Sequence, residues 1–145
     1  MTKFDAPQYD PRMLNNIFIF FLLGQIALAI AVIYYINSDG ALFNFDPQDI
    51  PTFSLPIMVL STNFIAHKIF QQQFNRIADI EDLQKKMQVV QLAHVIEWIM
   101  VGVGTLLLLV FAQIESNHFF SVLAVFNILY FFTLRPKILM LNEEF

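Results

Sequence analysis

No cysteine occurs in the 145-residue chain. That removes disulfides, thiolate metal sites and every cysteine-based redox mechanism. Charge is scarce as well. Asp, Glu, Lys and Arg make up 14% of the residues, against about 25% in an ordinary soluble domain, and no basic patch is present to suit nucleic acid. Glycine-rich phosphate loops, nucleophile elbows and H-E-x-x-H are all missing. What fills the chain instead is apolar. Hydrophobic residues reach 57%, with 17 phenylalanines, more than one water-soluble core of this length can hide.

Apolar residues come in long runs. A membrane-spanning helix needs about 20 of them, and four segments qualify as spans or near-spans: about 13–36, 51–77, 80–113 and 118–135. The first run is too long for a signal-peptide core and no A-x-A site follows it, so it is expected to be a retained helix. Residues 37–50 form a loop rich in Gly, Pro, Asn and Asp. That loop also holds Leu42, Phe43 and Phe45, which suits a segment lying on a bilayer surface. The short stretch "IESNH" makes spans three and four adjacent and antiparallel.

Basic residues are absent from both loops on one side of this arrangement. Lys3, Arg12, Lys68, Arg76, Lys85, Lys86, Arg135 and Lys137 all fall on the other side, while Asp39, Asp46, Asp49 and Glu115 face them across the chain. By the positive-inside rule both termini are cytoplasmic. Residues 66–90 contain neither Gly nor Pro. Phe70, Phe74 and Ile77, then Leu83, Met87 and Val90, recur at spacings of three and four, which is helical. With Asp79 as an expected N-cap, helices two and three should extend into the cytoplasm as a hairpin with its tip near 78–79. The third helix would then be roughly 50 Å long. The fold class expected is all-α: a single integral-membrane domain over 1–145, an antiparallel four-helix bundle with N and C termini inside, in a bacterial inner membrane.

Within this greasy frame the polar residues are few enough to place one by one. Gln91, His94 and Glu97 share one face of the third helix, and Asn63 and His67 share one face of the second. Arg135 closes the fourth. Counting back from Gln113 sets Glu97 about one turn inside the boundary, with Trp98 suited to an interface. These six residues, Asn63, His67, Gln91, His94, Glu97 and Arg135, form an expected polar cluster at the cytoplasmic end. Glu97 there is either paired with His67, His94 or Arg135 as a structural plug, or a proton- or ligand-handling group, or a solvated edge. His-x-x-Glu offers only two ligands and His67 is the only other histidine near, so no metal is expected. A deeper tier comprises Gln25, Thr62, Thr105 and Asn127, with Ser61 beside them, and is expected to hydrogen-bond between helices. Gly24, Ala27 and Ala31, and Gly102 with Gly104, read as small-residue packing stripes.

Known four-helix membrane families make demands that this chain does not meet. Quinone-linked thiol oxidases need cysteines, rotor-ring proteolipids need glycine-packed hairpins, and small multidrug transporters need an acid in the first helix. The glutathione-linked enzymes of eicosanoid metabolism carry basic residues in the first loop. In the layout of "QQQFNRIADIEDLQKKMQ", "HVIEWIMVGVG" and "LYFFTLRPK" the chain resembles small uncharacterised bacterial four-helix integral membrane proteins. That resemblance implies the fold and no activity. The function expected is non-enzymatic: an accessory or assembly subunit, or a homo-oligomeric bundle. Its partners would be the lipid bilayer and other membrane subunits or itself, with no cofactor and no nucleic acid. The alternative is a small transporter or membrane enzyme using Glu97 with His67 and His94. Topology is directly checkable. In intact spheroplasts an impermeant thiol reagent should label Asp46→Cys and spare Gln84→Cys; the reverse pattern overturns the orientation.

Overall fold

The computed structural model describes residues 11–136. Lys3 and Lys137, counted above in the charge asymmetry, lie outside the described residues, as do the side chains of Pro11 and Leu83. Among the described residues the regular structure is all helical, with no strand: α1 Pro11–Ser38, α2 Ile50–Asn75, a 3-10 turn Arg76–Asp79, α3 Leu83–Glu115 and α4 His118–Phe132. Three of the four helices are long and apolar enough to cross a membrane. α4 is not: its 15 residues make about 22 Å of helix. The expected fourth segment, about 118–135, is shortened because the chain leaves the helix at Thr133. Its N–H and hydroxyl both turn back to the Tyr130 carbonyl, and Pro136 disfavours helical geometry at Arg135.

Helix ends follow local chemistry. Asp49 precedes α2 in an extended conformation, with Pro51 in the first turn, where a missing N–H costs nothing. Pro56 lies inside α2, so no N–H reaches the Thr52 carbonyl one turn back. The N-cap of α3 is Asp82, whose carboxylate accepts from the Gln84 amide at 3.1 Å. The expected cap, Asp79, is instead the last residue of the 3-10 turn that prolongs α2. Backbone reversal occurs at 80–82, where Ile80 and Asp82 are extended, rather than near 78–79. α1 ends through Gly40 at φ 79°, with the Ala41 amide bonded back to Ile36. Glycine is the residue that takes this left-handed position without strain. Ser116 does the same work after α3 at φ 47°.

α3 is the axis of the bundle. It packs against α2, α4 and α1, and α1 packs also on α4. Trp98, Val101, Leu108 and Leu109 of α3 are buried, together with Leu14 and Phe18 of α1, Val59 of α2 and Phe120 and Phe131 of α4. Phe18 lies between Phe131 and Trp98, each ring 5.3 Å away. Beyond this core α2 and α3 run on as a hairpin with its own small nucleus of Ile77 and Val90, flanked by Phe74 and Val89. Outside, the helices remain apolar: Phe20, Tyr34, Ile50 and Leu60 are all largely exposed.

At the end opposite the hairpin the two loops are latched together. Asn117 accepts from the Asn44 amide at 2.9 Å and donates to the Asn44 carbonyl at 2.7 Å. The same carboxamide oxygen caps α4 by accepting from the Phe119 amide, and the His118 amide donates to the Leu42 carbonyl. Phe119 packs against the rings of Phe43 and Phe45. One side chain therefore serves a helix start and a loop 73 positions away. Asn117→Ala should lose about 1–2 kcal/mol, the upper range for a cap. It should also speed hydrogen exchange at Asn44 well above that of the α3 core, measured by mass spectrometry in detergent.

Candidate functional site

Each hydrogen-bonding side chain in the interior has a definite level along α3. Midway, Asn127 of α4 donates to the Val101 carbonyl at 3.0 Å and to Thr105 Oγ1 at 2.8 Å, and accepts from Asn63 Nδ2 of α2 at 2.7 Å. Gly104 makes room for this. A Cβ there would stand 3.3 Å from both the Asn127 amide nitrogen and Val59. Asn63, placed by sequence in the cytoplasmic cluster, thus belongs to this deeper network. Thr105 and Asn127 make interhelical bonds. Thr62 bonds only to the Met58 carbonyl of its own helix, and Ser61 is exposed. Gln25 sits apart between α1 and α3, donating to the Phe21 carbonyl, with its carboxamide oxygen buried and without a donor.

The small-residue stripe of α1 also differs from expectation. Gly24, Ala27 and Ala31 are exposed, and neither Gly24 nor Gly102 has anything within 4 Å of a Cβ position. Of the residues expected to mark close packing, Gly104 is the one where helices of this chain approach.

Toward the hairpin, α2, α3 and the end of α4 border a cleft of about 370 Å³. His94 and Glu97 reach it from α3 and His67 from α2, while Tyr130, Thr133 and Arg135 reach it from α4 and the segment beyond. Of the six residues expected to cluster here, these four (His67, His94, Glu97 and Arg135) line one space. Asn63 lies deeper, and Gln91 is half-buried one turn before His94. His94 is held tightly, its ring 4.8 Å from Phe70 and stacked 5.3 Å from Trp98. Trp98, expected at an interface, is fully enclosed. Its indole N–H donates to the Leu134 carbonyl at 2.9 Å, which occupies a carbonyl freed by the end of α4 and fixes the chain that carries Arg135. The Arg135 guanidinium lies 4.3 Å over the Phe132 ring and is exposed at the rim.

Glu97 and His94 are only 4% and 3% exposed, so an acid and a base are carried inside a wall that faces a space. A carboxylate accepts, an imidazole can donate or accept, a phenol does both and a guanidinium donates. Such a set can hold a polar molecule or hold and pass a proton. Among the described residues no group of three or more His, Asp or Glu is placed to hold a metal ion. Tyr130 and Thr133 were not singled out in the sequence; the helical step of three from Asn127 to Tyr130 was the signal available. No family model, curated protein or solved structure matches this chain, so the roles of these residues rest on their geometry.

The deeper network is directly testable. Removing the Asn127 carboxamide takes a partner from Asn63, Thr105 and the Val101 carbonyl together. Interhelical bonds of this kind contribute about 0.6 kcal/mol each on average. Asn127→Ala should therefore lose about 1–3 kcal/mol once the stranded groups are counted. Unfolding of single and double variants in detergent should show Asn63→Ala adding little further loss on top of it.

Proposed function

We propose that this chain is an integral protein of the bacterial inner membrane with both termini cytoplasmic, and that its working part is the polar cleft. What supports membrane residence is the exposed apolar surface. On α1 it runs from Met13 to Tyr35, and on α3 from Leu92 to Ile114. Each interval is about 33 Å of helix, close to the ~30 Å hydrocarbon core. The hairpin beyond Lys68 carries exposed Gln, Asn, Lys, Asp and Glu side chains, as a segment standing in water should. All six described basic residues, Arg12 through Arg135, lie at the hairpin end of the bundle, and by the positive-inside rule that end is cytoplasmic.

The function proposed for the cleft is binding of a membrane-borne ligand, with Glu97, His67 and His94 as the proton- or ligand-handling groups. The observation that carries it is that the buried Glu97 and His94 border a shared space of about 370 Å³. Ionisable side chains that are buried yet border an open concave space are the arrangement expected of a binding site. A second reading, the accessory subunit or homo-oligomer, draws on the α1–α3 face. There Gly24 and Gly102 border an apolar groove of about 240 Å³, the kind of surface on which another helix packs.

Glu97→Gln keeps shape and hydrogen-bonding capacity while removing the charge. Under the binding reading its thermal stability in detergent should be unchanged or raised, because functional carboxylates carry a stability cost. A loss of about 3–5 kcal/mol, the penalty for stranding one member of a buried pair, would assign Glu97 to the frame. Light scattering on the same preparations decides the second reading: a mass above one chain favours it.

A further inference from the structure

The cleft has a neighbour with which it shares a wall residue. A second cavity, about 300 Å³, lies directly deeper between α2 and α4, and its wall is apolar apart from Asn63 and Asn127. Tyr130 borders both cavities. On α2 the bordering residues continue in one helical stripe, Pro56, Leu60, Asn63, His67 and Phe70. On α4 the stripe is Leu123, Asn127 and Tyr130, continued by Thr133 just past its end. Spacings of three and four keep each stripe on one face. The origin of the groove is the packing pattern: α2 and α4 both lean on α3, and the two are not a principal packing pair. The Asn63–Asn127 bond joins them at mid-depth.

From Pro56 to Phe70 the groove is about 21 Å long. One leaflet of hydrocarbon is about 15 Å, so the groove matches a tail plus a headgroup of a single-leaflet lipid. Its two ends differ as such a molecule does. The deep end is apolar. The other end is lined by Arg135, His67 and Glu97, with Arg135 exposed, His67 half-buried and Glu97 deepest in the wall. That is mixed-sign chemistry, complementary to a head that carries an anion and an ammonium at once. A carboxylate has about four acceptor sites, so Glu97 can serve an intramolecular partner and a ligand together.

We propose that the α2–α4 groove binds one ethanolamine phospholipid of the cytoplasmic leaflet, an inference that rests on the cleft being a binding site. One acyl chain lies along Leu60 and Leu123. The phosphate is held by Arg135 and His67, and the ammonium donates to Glu97. A phosphate–guanidinium contact is a charge-assisted hydrogen bond. A primary ammonium has three donors, whereas the trimethylated choline head has none, so Glu97 discriminates between them.

The test uses the full chain in detergent, stripped of lipid and titrated with phosphatidylethanolamine, phosphatidylcholine or phosphatidylglycerol, with native mass spectrometry counting bound lipid. Phosphatidylethanolamine should bind at one per chain and about tenfold more tightly than phosphatidylcholine, the difference expected for one charge-assisted hydrogen bond. Glu97→Gln should erase that preference without abolishing binding. Leu123→Trp should fill the tail channel and abolish retention, while Leu106→Trp, on the α1–α3 face, should leave it unchanged. Equal retention of the ethanolamine and choline lipids, or full retention by a folded Leu123→Trp protein, overturns the proposal. If Leu123→Trp does not fold, the headgroup series on the unaltered chain decides alone. Retention of an isoprenoid quinone from the membrane in place of phospholipid would sink this occupant and leave the cleft a binding site. Loss of several kcal/mol in Glu97→Gln would sink the cleft reading itself.

Discussion

Three helices share one carboxamide, and much of the interior depends on it. Asn127 joins α4 to the Val101 carbonyl and Thr105 of α3 and to Asn63 of α2. The outer faces of these helices are apolar, so buried polar groups have one another and little else to bond. Satisfying the Asn127 donors and acceptor sets the rotation of all three helices about their axes. Gly104 is the geometric condition for it, since a side chain at that position would press on Asn127 and Val59 together. α2 and α4 each pack along α3, and the space between the two is where both cavities lie.

The two ends of the bundle are then secured by different means. At one end the join is polar: the Asn117 side chain captures the backbone of Asn44 and starts α4. At the other, α2 and α3 outrun their neighbours and are held by a small apolar nucleus around Ile77 and Val90. α4 stops short of that level. Its C-terminal segment is secured instead by Trp98, whose indole takes up the Leu134 carbonyl while its ring packs on Phe18 and His94. The tryptophan that the sequence suited to an interface is in this way part of the scaffold for Arg135.

Position in the cleft separates residues that look alike in composition. His94 is clamped between two aromatic rings, a setting that fixes its ring plane. His67 is half-buried on α2. Glu97, one turn from His94 on the same face, is enclosed by protein yet borders the space. The outcome is a graded site, with Arg135 at the rim and Tyr130 at the junction with the apolar groove.

All-helical architecture was legible in the sequence because apolar runs and helical periodicity are local properties, written in consecutive residues. The interior level of Gln25, Thr105 and Asn127 followed from counting residues along those runs. The same counting set Asn63, His67, Gln91, His94, Glu97 and Arg135 at one end of the bundle, and His67, His94, Glu97 and Arg135 of these border the cleft. What periodicity does not carry is rotation and termination. The deeper bonding of Asn63, the outward face of Gly24, Ala27 and Ala31, and the purely local bond of Thr62 each depend on which side of a helix meets a neighbour, and the packing of whole helices against α3 decides that. The shift of the α3 cap from Asp79 to Asp82 depended on the 3-10 turn that carries α2 onward. The groove between α2 and α4 has no sequence signal of its own. It is the space left where two helices prefer a third to each other, and so it exists only in the assembled tertiary structure.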